Sequence, residues 1–140
     1  MTVSSDGADP TAIVAIAVTA DDVVTALEAT QRSGRRTVLR VTPPFSGRMR
    51  ARLHRPGDEE STETIHLDPT SLVAEPPPYP DPDETADRLR AAGAYSTDRH
   101  HDQYAAAVQE WRTAVREALV DTVTLDTDAG PHRVEVTRLG

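Results

Sequence analysis

Apolar and polar residues alternate along much of this chain, and the period of the alternation marks its elements. Residues 48–54 hold the clearest period of two: Met49, Ala51 and Leu53 fall on one side, and Arg48, Arg50, Arg52 and His54 on the other. Residues 37–42 alternate likewise, with Leu39 and Val41 as the core pair, and residues 62–67 turn Ile65 and Leu67 inward. Pro43-Pro44-Phe45-Ser46-Gly47 and Pro56-Gly57-Asp58-Glu59-Glu60 are turn formers between these runs, so an antiparallel meander is expected. Residues 122–126 and 133–138 alternate again, and Asp128-Ala129-Gly130-Pro131 joins them as a hairpin.

Elsewhere the period lengthens. Tyr104, Val108, Trp111, Val115 and Leu119 recur as one helical stripe, which predicts a long helix over residues 98–119. Thr19-Ala20-Asp21-Asp22 has the form of a helix cap, and the helix it opens runs to about Arg32, buries Val23, Val24, Leu27 and Thr30, and stops at Gly34. Asp81 caps a further helix, with Pro82 in its first turn and Gly93 at its end. The Pro-rich residues 74–82 are expected to be an extended internal linker. Residues 12–18 are short, apolar and β-branched, compatible with a strand or with the lead-in to a helix. The sum is a disordered tail over residues 1–11 and a single α+β domain over residues 12–140. That domain is expected to be an antiparallel sheet of five to six short strands with two to three helices packed on one face.

Composition narrows the class. A chain of 140 residues buries roughly two thirds of its unfolded surface, enough for a core without staples. It has no Cys, which excludes disulfides and thiolate metal sites. No run approaches the roughly 18 apolar residues of a membrane span, and no basic segment precedes the apolar residues 12–18 as in a secretory signal. A soluble, cytoplasmic protein is expected.

Charge changes the picture most. Residues 29–57 hold eight arginines (Arg32, Arg35, Arg36, Arg40, Arg48, Arg50, Arg52, Arg55) and no acid, so a chain of net charge −8 divides into a +8 stretch and a remainder of −16. All 15 basic residues are Arg, against 23 acids. A dense carboxylate surface keeps a protein hydrated in concentrated salt, so this composition points to a salt-loving cell; codon bias in a high-GC genome is the alternative. The run Arg36-Thr37-Val38-Leu39-Arg40-Val41-Thr42-Pro43-Pro44-Phe45-Ser46-Gly47-Arg48-Met49-Arg50-Ala51-Arg52-Leu53-His54 and the tail Ala129-Gly130-Pro131-His132-Arg133-Val134-Glu135-Val136 resemble small uncharacterised haloarchaeal proteins. The resemblance spans residues 12–140, agrees with the saline reading, and implies no activity or site.

The candidate binding residues are therefore Arg36, Arg40, Phe45, Arg48, Arg50, Arg52 and His54. Alternate strand residues stand roughly 6.5 to 7 Å apart, close to the phosphate spacing of a nucleic-acid strand, and guanidinium forks suit carboxylate as well as phosphate. Phe45, at the loop tip, is expected to offer an apolar or stacking contact. The plainer alternative is a solvated Arg face, or one neutralised within the fold by Glu63, Asp68, Asp121, Asp126 and Glu135. Six phosphate contacts give a salt slope of about −5, so a decade of salt costs roughly 10⁵ in affinity. High salt thus ranks an acidic protein partner ahead of nucleic acid.

Other motifs are weaker. His100-His101-Asp102 lacks the spacing of two ligands on one helix face, and a convergence of His54, His66 and His132 depends on the fold. Asp126-Thr127-Asp128-Ala129-Gly130 resembles the start of a calcium loop but has Thr137 where the bidentate Glu belongs. Pro76-Pro77-Pro78-Tyr79 fits a proline-ligand pattern and is read as linker; Trp111 and Tyr104 are read as core. No phosphate loop, nucleophile elbow or zinc-protease motif is present, and no cofactor or metal is expected. The expectation is a non-catalytic protein-interaction module, with nucleic-acid binding by the same face as the alternative.

Overall fold

The computed structural model describes residues 8–57 and 63–140. Among these, seven strands and three α-helices follow in the order β1 (Ala15–Thr19), α1 (Ala20–Ser33), β2 (Val38–Val41), β3 (Arg48–Arg50), β4 (Arg52–His54), β5 (Ile65–Leu67), α2 (Pro82–Ala91), α3 (Thr97–Glu117), β6 (Thr122–Thr127) and β7 (Gly130–Leu139). The expected tail falls mostly in residues 1–7, outside the described residues; Pro10–Ala12 form a 3-10 turn capped by the Asp9 carboxylate. The acidic half of the turn before β5 also lies outside them.

The helices stand where local chemistry puts them. Thr19 Oγ1 accepts the Asp22 N–H at 3.1 Å to open α1, and Gly34, at φ 69°, closes it with its N–H on the Thr30 carbonyl. Asp81 caps α2 through the Asp83 N–H at 2.9 Å, and Ser96 caps α3 through the Arg99 N–H at 3.1 Å.

The sheet departs from the expected single antiparallel one. The strands form a mixed four-stranded sheet, in the order β3-β1-β7-β6, and an antiparallel three-stranded sheet, in the order β4-β2-β5. Residues 12–18 thus supply a strand, and β1 runs parallel to both β3 and β7. Such parallel pairing needs a crossover, which α1 and β2 provide between β1 and β3. The expected hairpin is β6 with β7, paired from Thr122 opposite Glu135 to Thr127 opposite Gly130.

The three-stranded sheet is not a meander either, because β2 lies between β4 and β5. Val38, Leu39 and Val41 are all fully buried, so β2 is the strand least suited to an edge. The run 48–54 therefore divides between two partners. The Ala51 N–H bonds the Ala17 carbonyl at 2.9 Å, prolonging the pairing with β1, and the chain then turns to pair with β2. Ala51, at the division, is fully buried.

Between the elements lies one core, in which Ile16, Val18, Leu39, Val41, Leu67 and Val134 meet Val23, Val24 and Leu27 of α1 and Trp111 and Val115 of α3. The Pro-rich segment, expected as a linker, is strapped across the helices. Trp111 Nε1 donates to the Pro77 carbonyl at 2.9 Å, and Tyr104 Oη to the Pro80 carbonyl at 3.2 Å. Tyr79 packs edge-on against Trp111, with ring centroids 5.0 Å apart. Beneath it, the Glu28 carboxylate accepts Arg112 Nε at 2.8 Å, Arg112 Nη2 at 2.9 Å and Tyr79 Oη at 2.8 Å. This clasp joins α1, α3 and the strap through one group that is 13% exposed.

The Arg112 hydrogen bonds hold the Glu28 carboxyl below its usual range, against the opposing effect of burial. Burial first, then the bond to Glu28, pushes the Tyr79 phenol up to about 12. The signs give a pH window. The depressed Glu28 contributes stability above its unfolded value and loses it as pH falls through the folded one; the raised Tyr79 contributes below about 10 and loses it as pH rises toward 12. Replacing Glu28 with Ala is expected to lower unfolding free energy by about 2 kcal/mol in urea titration at neutral pH. Tyr79→Phe is expected to abolish the part of the alkaline destabilisation that falls between pH 10 and about 12. At the dividing residue, Ala51→Leu is expected to cost about 2 kcal/mol through overpacking, read by the same titration.

Candidate Arg-face binding site

Register decides which way each arginine points. Met49 pairs with the fully buried Ile16, so the neighbours Arg48 (opposite Ala15) and Arg50 (opposite Ala17) leave on the other side of the sheet. Leu53 pairs with the fully buried Leu39, so Arg52 (opposite Arg40) and His54 (opposite Val38) continue on that same side. The four side chains therefore keep the orientation expected from the alternation, although two sheets share them. Leu53 departs from expectation: at the edge of its sheet it is 41% exposed and adds little to the core.

The strand order brings in further residues. Arg40 sits in β2 between Arg52 on β4 and His66 on β5, giving a row Arg52–Arg40–His66 across the sheet. The rings of His54 and His66 approach to 5.6 Å between centroids, and Val38, on the same side of β2, is fully buried. His66 was not among the expected site residues. Its signal lay in the alternation with Ile65 and Leu67, which places it opposite the core; the order β4-β2-β5 was needed to place it beside His54.

Two expected members stand apart. Arg36 is exposed but precedes β2. Phe45 is not a stacking surface at all: it is 7% exposed and belongs to the core cluster, against which the partly buried Met49 also packs. Burial of a whole aromatic ring stabilises by a few kcal/mol, more than an exposed loop tip gains, so the loop folds the ring inward.

Electrostatically, Arg48, Arg50 and Arg52 make no ion pair among the described residues. The ion pairs there are Arg112–Glu28 and Arg116–Asp21, between α3 and α1, and Arg90–Asp87, within α2. Arg50 Nε is buried without an acceptor. Glu135, expected to neutralise the patch, faces the same side but is separated from Arg48 by Ala15 of β1. The histidines do not converge as a triplet: His132 Nε2 lies 2.7 Å from the Ile13 carbonyl and His100 Nε2 2.9 Å from the Pro82 carbonyl. Among the described residues no group of three His, Asp or Glu side chains could hold a metal, and no helix is long and apolar enough to cross a membrane. A cavity of about 590 Å³ lies between β5 and β6 and is acidic, lined by Glu63, Asp68, Asp126 and Asp128 among others.

Residues 3–140 match the model of a domain of unknown function, DUF8009. The chain belongs to that family. Comparison with curated proteins and with solved structures gives no match. For this DUF8009 chain the functional argument therefore rests on the geometry of the Arg side.

The relocation of Phe45 is directly testable. Phe45→Ala is expected to lower unfolding free energy by about 3 kcal/mol, measured by thermal or urea unfolding, whereas a residue serving only as a surface contact would leave stability unchanged.

Proposed function

We propose that this chain is a non-catalytic interaction module that captures an acidic segment of another protein on the side bearing Arg48, Arg50 and Arg52. One observation carries the reading: three guanidinium groups share one side of consecutive strands with no carboxylate paired to them among the described residues. Charges left unpaired in a row repel one another, and a partner's carboxylates relieve that repulsion through forked, charge-assisted hydrogen bonds. Arg40 and His54 widen the surface. The Lys-free, acid-rich composition supports a cytoplasmic, salt-rich setting, where close bidentate contacts matter more than long-range attraction because the Debye length falls to about 3 Å at molar salt.

Nucleic acid is the second reading, favoured by the roughly 6.5 to 7 Å interval between alternate arginines. It ranks lower because the burial of Phe45 removes the stacking platform that single-strand binders use.

The test is the triple variant Arg48→Ser, Arg50→Ser, Arg52→Ser, compared with the unaltered chain in an affinity pull-down at native salt. The expected result is loss of specific partners with an unchanged circular dichroism spectrum, and partners that survive nuclease treatment. Identical partners from the triple variant overturn both readings, and a nuclease-sensitive complex transfers the function to nucleic acid.

A further inference from the structure

We infer that the partner segment binds as an extended strand lying along β1, in a trough floored by Ala15 and Ala17, and that it presents carboxylates on every second residue. This rests on the Arg-side reading above and adds to it the path, conformation and charge spacing of the ligand.

The trough follows from register across the four-stranded sheet. One row of side chains runs Arg48, Ala15, Glu135, Thr122 from β3 to β6; the next runs Arg50, Ala17, Thr137. The first two of the three outer positions of β1 are thus alanine (the third is Thr19), with long arginines along one flank and Glu135 and Thr137 along the other. Arg48, Glu135 and Thr137 are exposed, so no helix among the described residues covers these flanks. Alanine is a poor strand former, and the central strand of a sheet is where Val, Ile or Thr would stabilise most. What two alanines provide is low height.

Dimensions select the occupant. Adjacent strands lie about 4.8 Å apart, so the flanking rows on β3 and β7 are about 10 Å apart, wide enough for one extended chain. Alternate residues of such a chain repeat at roughly 6.5 to 7 Å, the same interval that separates Arg48 from Arg50 along β3, with Arg52 following beyond the turn at Ala51. Carboxylates at alternate positions therefore meet the Arg48 and Arg50 guanidinium groups in register. On the opposite flank Glu135 repels a second acidic row. The ligand is consequently one-sided, acidic toward β3 and neutral toward β7, a pattern that a peptide with alternating side chains satisfies and a uniform polyanion does not.

Fluorescence anisotropy with three probes tests this: a labelled peptide of repeating Glu-Ala, a block peptide of the same composition with its Glu residues in one run, and an oligothymidylate. The unaltered chain is expected to bind the alternating peptide about tenfold more tightly than the block peptide. Ala17→Tyr, which fills the trough with a residue that strands favour, is expected to weaken the alternating peptide about tenfold while leaving the thermal unfolding curve intact. Ala15→Thr serves as the milder second variant, with a smaller loss. Equal affinity for the two peptides overturns the proposal. So does Ala17→Tyr or Ala15→Thr binding like the unaltered chain while the triple Arg variant fails; that outcome leaves the Arg-side reading standing. Undiminished binding by the triple variant removes both, and preference for the oligothymidylate replaces the acidic peptide with nucleic acid.

Discussion

One short run of backbone has to satisfy two sheets, and the rest of the architecture is arranged around that demand. Residues 48–50 hydrogen-bond in parallel with β1, residues 52–54 antiparallel with β2, and Ala51 is the hinge between them, fully buried and bonded to the Ala17 carbonyl. A larger side chain there would push the two sheets apart over their shared core. Because the alternation passes through Ala51 without a break, the arginines before it and after it emerge on the same side. A bulge of one residue would have sent Arg52 and His54 inward, where an unpaired charge is costly.

The Pro-rich segment has a comparable logic. Prolines lack an N–H, so they offer carbonyls without donors, and the donors come from α3: Trp111 Nε1 to Pro77 and Tyr104 Oη to Pro80. A stretch already restricted in φ loses little entropy when it is fastened down. Glu28 then ties strap, α1 and α3 to one carboxylate, with both oxygens engaged. An aromatic pair above, with Trp111 buried and Tyr79 partly so, and a forked ion pair below hold a segment whose composition alone reads as a spacer.

The helices and their ends were legible because their signals are local. Thr19, Gly34 and Asp81 each act within a turn of their own position. The direction of the Arg side chains was legible for the same reason, since period two is a property of neighbouring residues. Strand order was not, because it depends on which strand is most apolar on both sides, and the burial of Val38 appears only once β4 and β5 flank it. Parallel pairing of β1 with β3 and β7 is likewise set by partners more than thirty residues away or at the far end of the chain. Phe45 misled because a loop among prolines looks exposed; the ring's own hydrophobicity was the better guide. His66, Ala15 and Ala17 acquired meaning only from the strands beside them.

Every cation on this molecule's side chains, apart from histidine, is a guanidinium. Arginine stays protonated at any pH a cell reaches, and it is not the target of the acylation chemistry that neutralises lysine. The row Arg48, Arg50, Arg52 is therefore a charge that lysine-directed modification does not remove. Control over an acidic segment captured there, as proposed, would have to come from the other side of that interface, through salt, competition, or a change in the segment's own carboxylates.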